Sequence, residues 1–292
     1  RDTWNNSTPT ATHFYLGDDG GWGVNADGVS YVAYLFGGGA STSSLARSVD
    51  FAGSSKYLNI DDTSNGLASG TNDFTLEMWL KPSAWTGDSY ILAIDTTGGL
   101  LIRHDATGAG SLAFTLKGGG TLFTVSGFTP RVGVWTHIAL VRHSNKAYLY
   151  ENGQLIKTSG DISSLSLSSG DTYIGIDQDG NQDEYDGLIS NLRFVKGTAV
   201  YTSVFKPPTE PLTNITNTTL LCCNNSSITG SSVTPGNITS SGSPTASSDS
   251  PFDDPGGFVF GESGESVISC GSYIGNGSST GPEIFLGNGW QP

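Results

Sequence analysis

The segment 146–158, KAYLYENGQLIKT, places two runs of alternating apolar residues on either side of Asn152-Gly153. An Asn-Gly pair so flanked is the sequence form of a two-residue β-hairpin, because both central residues of the favoured turn need positive φ. A lone hairpin is marginal in water, so further strands must pair its edges and cover its apolar face. The sequence supplies them. In FTLEMWLKP, Phe74, Leu76, Met78 and Leu80 alternate with Thr75, Glu77, Trp79 and Lys81, which predicts a half-buried strand ended by Pro82. WTHIALVR is apolar on both alternate sets, which predicts a strand covered on both faces. DTYIGI and YDGLISNLRFVKG predict two more strands, and turn signals recur about every ten residues. No amphipathic helix is legible; GTAVYTSVF offers a single turn at most. The predicted fold is all-β, an antiparallel β-sandwich.

Charge excludes two function classes. With 27 acidic against 13 basic residues the net charge is −14, so no basic footprint exists to displace counterions from nucleic acid or to draw the chain to an anionic membrane. No apolar run is long enough to span a bilayer, so membrane insertion is not expected. The chain opens RDTWNNSTPT, without an initiator Met or a signal peptide, and reads as processed or as a segment of something longer.

Four regions separate by pattern. Residues 1–46 hold an N-terminal β segment ending in YVAYLF and a Gly/Ser bridge, GGGASTSSLA. The dense strand pattern occupies 47–223. A Ser/Thr/Asn/Pro tract at 224–251 has almost no aliphatic pattern and reads as a linker. A C-terminal β segment, 252–292, follows with GGFVFG, ESVISCGSYIG and PEIFLGNGW.

In order along the chain, VDFAGSSKYLNI, NDFTLEMWLKP, GVWTHIALVRHSNKAYLYENGQLI and YIGIDQDGNQDEYDGLISNLRFVKGTAVYTSVFKPPTEPL together resemble the laminin-G-like, concanavalin-A-like jelly-roll family. Within it they are most similar to the variety carried by virion proteins of marine bacteriophages, cyanophages included; NLRFVKGTAVYTSVFKPPTEPL is the specific part. The flanks resemble pieces of a repeated β module of the same virion proteins. The resemblance implies a jelly-roll sandwich flanked by β-strand segments from a second β module, with 252–292 pairing with 1–36 in cis or in a neighbouring subunit. It further implies a non-enzymatic structural protein of a tail fibre or surface fibre, on the virion surface, contributing to host-surface glycan adhesion. Its partners would be other virion subunits or itself. Two rivals stand beside this: a purely architectural filament or scaffold subunit joined by strand exchange, and a secreted bacterial lectin-like adhesin.

The candidate sites follow from residue chemistry. For sugar binding, Trp85, Asp88 and Tyr90 in AWTGDSY, and Trp22 in DDGGWGVN, offer rings for stacking and polar groups for hydroxyls. The alternative for each aromatic is a plug at the end of the sandwich. For a metal, Asp177, Asp179, Asn181, Asp183 and Asp186 form the densest oxygen cluster, and Asp50 would approach Asp186 at a sandwich rim. Crowded carboxylates favour a hard cation such as calcium, and laminin-G-like domains often carry calcium at such a rim. Against an EF-hand loop, Gln182 and Leu188 stand where the glycine and the bidentate acid belong. The alternative is a solvated acidic loop. No catalytic residue is expected: no strand carries the alternating acids of a glycoside hydrolase, and no nucleophile elbow or phosphate loop occurs. His137 reads as a hydrogen-bonded structural histidine, and His104 and His143 as exposed. Of Cys222, Cys223 and Cys270, the adjacent pair reads as one buried and one outward thiol, with a Cys223–Cys270 bridge left open.

Overall fold

The computed structural model describes residues 13–16, 26–36, 47–85, 87–106, 110–117, 121–177, 179–180, 183–252, 268–274 and 283–285. Among them are β-strands and no helix. The chain divides into two compact units, Arg1–Ser41 with Asp254–Pro292, and Thr42–Asp253.

In the first unit, β1 (His13–Tyr15) pairs with β20 (Glu283–Phe285), and β2 (Ser30–Phe36) pairs with β19 (Ile268–Ile274). Each ladder is antiparallel and joins the first segment of the sequence to the last. Trp22 lies outside the described residues.

The second unit is a two-sheet sandwich. Its strands are β3 (Ser48–Asp50), β4 (Tyr57–Asp61), β5 (Phe74–Pro82), β6 (Ser89–Asp95), β7 (Leu100–Asp105), β8 (Ser111–Leu116), β9 (Thr121–Ser126), β10 (Thr136–His143), β11 (Lys146–Glu151), β12 (Gln154–Thr158), β13 (Asp171–Ile174), β14 (Gly187–Lys196), β15 (Thr218–Cys222), β16 (Ser231–Val233), β17 (Asn237–Ser241) and β18 (Thr245–Ser247). One sheet runs β12-β11-β10-β5-β14-β15-β16, with β3 paired to β14 and β18; the other runs β17-β4-β13-β6-β7-β8-β9. Leu76, Met78 and Leu140 of the first sheet and Leu58, Ile60 and Ile102 of the second share one apolar core. The β11–β12 hairpin turns through Asn152 (φ 46°) and Gly153 (φ 76°), as its sequence requires.

Two expectations need correction. The first concerns β5, read as half-buried. Thr75 and Glu77 are fully buried, and Trp79 is buried too, although they face away from the core. The cover is the segment 198–213, laid across the outer face of the first sheet. Thr75 Oγ1 donates to Thr198 O and accepts from Val200 N, and Leu212 N donates to Asn191 Oδ1. Phe252 closes edge-on over Trp79 at 5.8 Å. The second concerns 224–251, read as a linker. It contributes β16, β17 and β18, which extend both sheets, so the folded unit ends at Asp253 rather than at 223. The tract looked unstructured because its strands bury little. In β17 only Ile238 is buried, while the backbone pairs with β4 along its whole length. Thr is a good strand residue, and the ladder itself asks nothing of side chains.

Candidate functional site

Residues directly opposite in a β ladder share a face. The ladders of the seven-stranded sheet therefore align Thr239, Asn59, Tyr173, Ala93, Leu101 and Thr115 across its outward face. Tyr57, two residues before Asn59, lies on the same face. So does Arg103, two residues after Leu101, together with its ladder partner Tyr90. A register shift between Tyr90 and Leu92 returns Ile91 to the core and leaves Tyr90 outside. The three tyrosines and Arg103 are half-buried. Ala93 is fully buried at the centre of the row.

The rings make local contacts. Tyr57 and Tyr173 lie 5.9 Å apart, tilted by 53°. The Arg103 guanidinium sits 5.9 Å from the centre of the Tyr90 ring. It also donates to Asp88 and Asp105, each at 3.1 Å. Asp88 accepts a further bond from Ala106 N at 2.9 Å.

The loop after β13 borders this face. Tyr185, fully buried, anchors it, and Tyr185 N donates to Gly175 O at 2.9 Å. Asp183 O accepts from Tyr90 N at 2.8 Å. Gly180 (φ 67°) brings the backbone down on the tyrosine pair; a Cβ there would lie 3.3 Å from the Tyr173 ring. Partial burial pushes the Asp183 carboxyl up, and the charges of Asp88 and Asp177 push it further, with Arg103 opposing. Burial likewise raises the Tyr90 hydroxyl; Arg103 opposes it, and Asp183, Asp177 and Asp88 add to it. For Tyr173, burial, Asp171 and Asp95 act in the same upward direction. Tyr90 and Tyr173 therefore remain neutral donors at ordinary pH.

The sequence-predicted residues divide. Tyr90 and Asp88 stand at this face. Trp85 does not reach it: it donates through Nε1 to Pro130 O at 2.9 Å, stacks on His104 at 4.7 Å and leans on Tyr185 at 5.7 Å. It plugs the end of the sandwich. His104, expected to be exposed, is buried under that ring and bonds Gly87 O through Nδ1 at 2.7 Å. His137 is fully buried, with Nε2 3.1 Å from Glu77 Oε2. Sequence reading missed Tyr57, Tyr173 and Arg103. The available signal was the alternation in YLNID and DTYI, where each tyrosine is out of phase with the inward Leu58, Ile60 and Ile174.

Of the expected metal ligands, Asp177 and Asp183 lie close enough for their charges to interact. Asn181 lies outside the described residues. Asp50 is opposite Leu188 in the β3–β14 ladder, and its Oδ1 accepts from Ala52 N at 2.8 Å. Asp177 is buried, whereas Asp179 is exposed. Asp186 Oδ1 is buried without a hydrogen-bond partner. Among the described residues no three His, Cys, Asp or Glu side chains come together as a set that holds a metal ion. Arg103 supplies positive charge near Asp88 and Asp183.

The family described as the concanavalin A-like lectin/glucanases superfamily matches residues 52–201. The chain belongs to that family. The concanavalin A-like match covers the strands of the tyrosine face from β4 to β9 together with β13, whereas β15 to β18 of the same sandwich lie beyond it. No curated protein sequence matches the chain. Among solved structures it is similar to a putative carbohydrate binding protein from Bacteroides ovatus, with 15% identity over 76% of this chain and 70% of that one and a TM-score of 0.49. It is similar to the heptameric SAP-like pentraxin of Limulus polyphemus, with 18% identity over 54% and 78% and a TM-score of 0.44. Domains LG4-5 of mouse laminin alpha1 show 14% identity over 55% and 45%, with a TM-score of 0.38.

Proposed function

We propose that this concanavalin A-like chain is a non-enzymatic, glycan-binding structural module of a virion appendage, displayed at the particle surface. The observation that carries the glycan reading is the outward face on which half-buried Tyr57, Tyr90 and Tyr173 and the guanidinium of Arg103 lie together. Tyrosine rings offer apolar faces to the C–H side of a sugar, and their hydroxyls, with Arg103 and Asp88, offer hydrogen bonds to its hydroxyls. Membership of a lectin and glucanase family supports the same ligand class. The non-enzymatic reading rests on the acids beside the face. Asp88 accepts from Arg103 through Oδ2 and from Ala106 N through Oδ1, so both of its oxygens are already engaged. The virion reading rests on the phage-like segment 191–212.

A shallow open face binds one sugar weakly, and repetition on a particle raises avidity by orders of magnitude. The test is a glycan array probed with the full chain displayed multivalently, followed by titration of each hit. Tyr173→Ala should weaken a hit about tenfold, the loss of roughly 1.4 kcal/mol of stacking. An array without hits, or binding indifferent to both Tyr173→Ala and Tyr90→Ala, would refute this assignment. Mass spectrometry of purified particles tests the virion location. A second reading, an architectural subunit, is favoured by one observation: both ladders of the first unit join opposite ends of the sequence. Filaments under the electron microscope without glycan affinity would select it.

A further inference from the structure

Cys222 closes β15, and Cys223 follows it in the left-handed region at φ 58°. Sequence reading expected one outward thiol; both are buried and both are free. Their Sγ atoms lie 3.8 Å apart. A disulfide needs about 2.05 Å, so rotation at the two side chains has less than two ångströms to close.

The pair is wired to the backbone around it. Cys223 O accepts from Asn191 N at 3.1 Å, and Cys222 is opposite Leu192. Asn191 is itself left-handed and buried; its Oδ1 accepts from Leu212 N, and its Nδ2 donates to Ser190 Oγ at 2.8 Å. Ser190 Oγ in turn donates to Arg47 O. Both thiols belong to the apolar core and stand directly before a polar turn. The polar turn 224–230 is held by Ser227 N to Asn225 Oδ1 and Gly230 N to Ser227 O, and Ile228 is its apolar foot on the core. Such a turn opens locally at little cost.

The geometry points to a redox-responsive vicinal dithiol: Cys222 and Cys223 close an eight-membered disulfide ring by exchange with a low-molecular-weight disulfide. The first thiolate attacks one sulfur of that disulfide and expels a thiolate, leaving a mixed disulfide. The neighbouring thiolate then attacks the protein-side sulfur and expels the second. Two protein thiols lose two protons and two electrons, and the oxidant takes up both and leaves as two small thiols. A strained ring is readily reduced, so the couple is reversible rather than a fixed cross-link. Hydrogen bonding to Cys222 and burial push the Cys223 thiol up, which makes exchange slow and dependent on opening of the turn.

The experiment uses the full chain carrying Cys270→Ser, so that the pair supplies its only thiols. It is incubated natively with oxidised glutathione, quenched in acid, denatured, alkylated and weighed. The expected result is loss of both alkylatable thiols and of two hydrogen masses, fully reversed by dithiothreitol. Adding Cys222→Ser or Cys223→Ser should leave a stable glutathione adduct on the remaining thiol. Hydrogen exchange should then show altered protection of the Asn191 and Leu212 amides in the oxidised chain. Two alkylatable thiols after native incubation, arrest at the glutathione adduct with both cysteines present, or ring closure only in denaturant would each overturn the inference.

Discussion

Glu77 shows how one side chain can hold a covering segment in place. Its Oε1 accepts from Arg193 Nε and Nη2 at 2.9 and 2.6 Å, and its Oε2 from Tyr201 Oη at 2.9 Å, with His137 Nε2 3.1 Å away. Arg193 also donates to Thr213 O, so both ends of the 198–213 segment answer to this carboxylate. Burial alone would raise the Glu77 carboxyl, yet the His137 bond and the Arg193 charge overcome it and hold the group below its ordinary range. A carboxyl depressed in the folded state stabilises the fold above its unfolded pKa, about 4.3, and loses that contribution as pH falls towards the folded value. Removing one partner of a buried pair costs about 3–5 kcal/mol. Glu77→Gln should therefore be destabilised by about that amount in urea at pH 7. The gap from wild type should narrow steadily below pH 4.

A second contrast belongs at the same scale. Trp85→Ala should cost about 3 kcal/mol in urea denaturation, because the ring is packed on His104 and Tyr185. Tyr173→Ala, on the outward face, should stay within about 1 kcal/mol of wild type. If the two change stability equally, the separation of plug from ligand face is wrong.

Among elements, the β11–β12 hairpin does more than reverse the chain. The Gly153 carbonyl accepts from Phe205 N at 3.0 Å, and a Cβ on Gly153 would fall 1.8 Å from Phe205 O. Phe205 stacks on Tyr201 at 3.6 Å and meets Tyr150 edge-on at 5.4 Å. Gly153→Ala would combine positive-φ strain with displacement of this segment, at about 3 kcal/mol in total. Proteolysis within 202–209 should accelerate in that variant. The hairpin, β5 and β10 were legible because apolar period and turn chemistry agree there. The 198–213 segment was not: its anchors are single residues that pair with positions far away in sequence, such as Thr198 with Thr75. Strands β16 to β18 were hidden for the opposite reason, since their backbone does the pairing while their side chains stay polar. Of the candidate site, Tyr90 and Asp88 were found through the end of β5. Tyr57, Tyr173 and Arg103 come from separate strands, and only the ladder registers unite them.

At the level of the molecule, the acidic balance and the seven-stranded face act together. Net charge −14 repels an anionic ligand at low ionic strength, so binding to an array hit should strengthen with salt if the glycan is anionic and stay flat if it is neutral. Surface plasmon resonance on an array hit across a salt series separates these cases. A chelator tests the full chain for a bound cation: the melting temperature or the scattering mass falls if one is held and stays unchanged if none is.

Strands β3 and β18 pair directly, Ser48 opposite Ser247, so the polypeptide enters and leaves the sandwich at neighbouring points. Everything between is, in effect, a cassette spliced into the first unit. During synthesis the strand Ser30–Phe36 is made first, yet its partner Ile268–Ile274 leaves the ribosome on the order of tens of seconds later. The last strand of the sandwich, Thr245–Ser247, emerges shortly before that partner, and only after it can the two ends meet. The order in which strands become available is thus written into the chain: every strand of the inner unit is made before the outer unit can close.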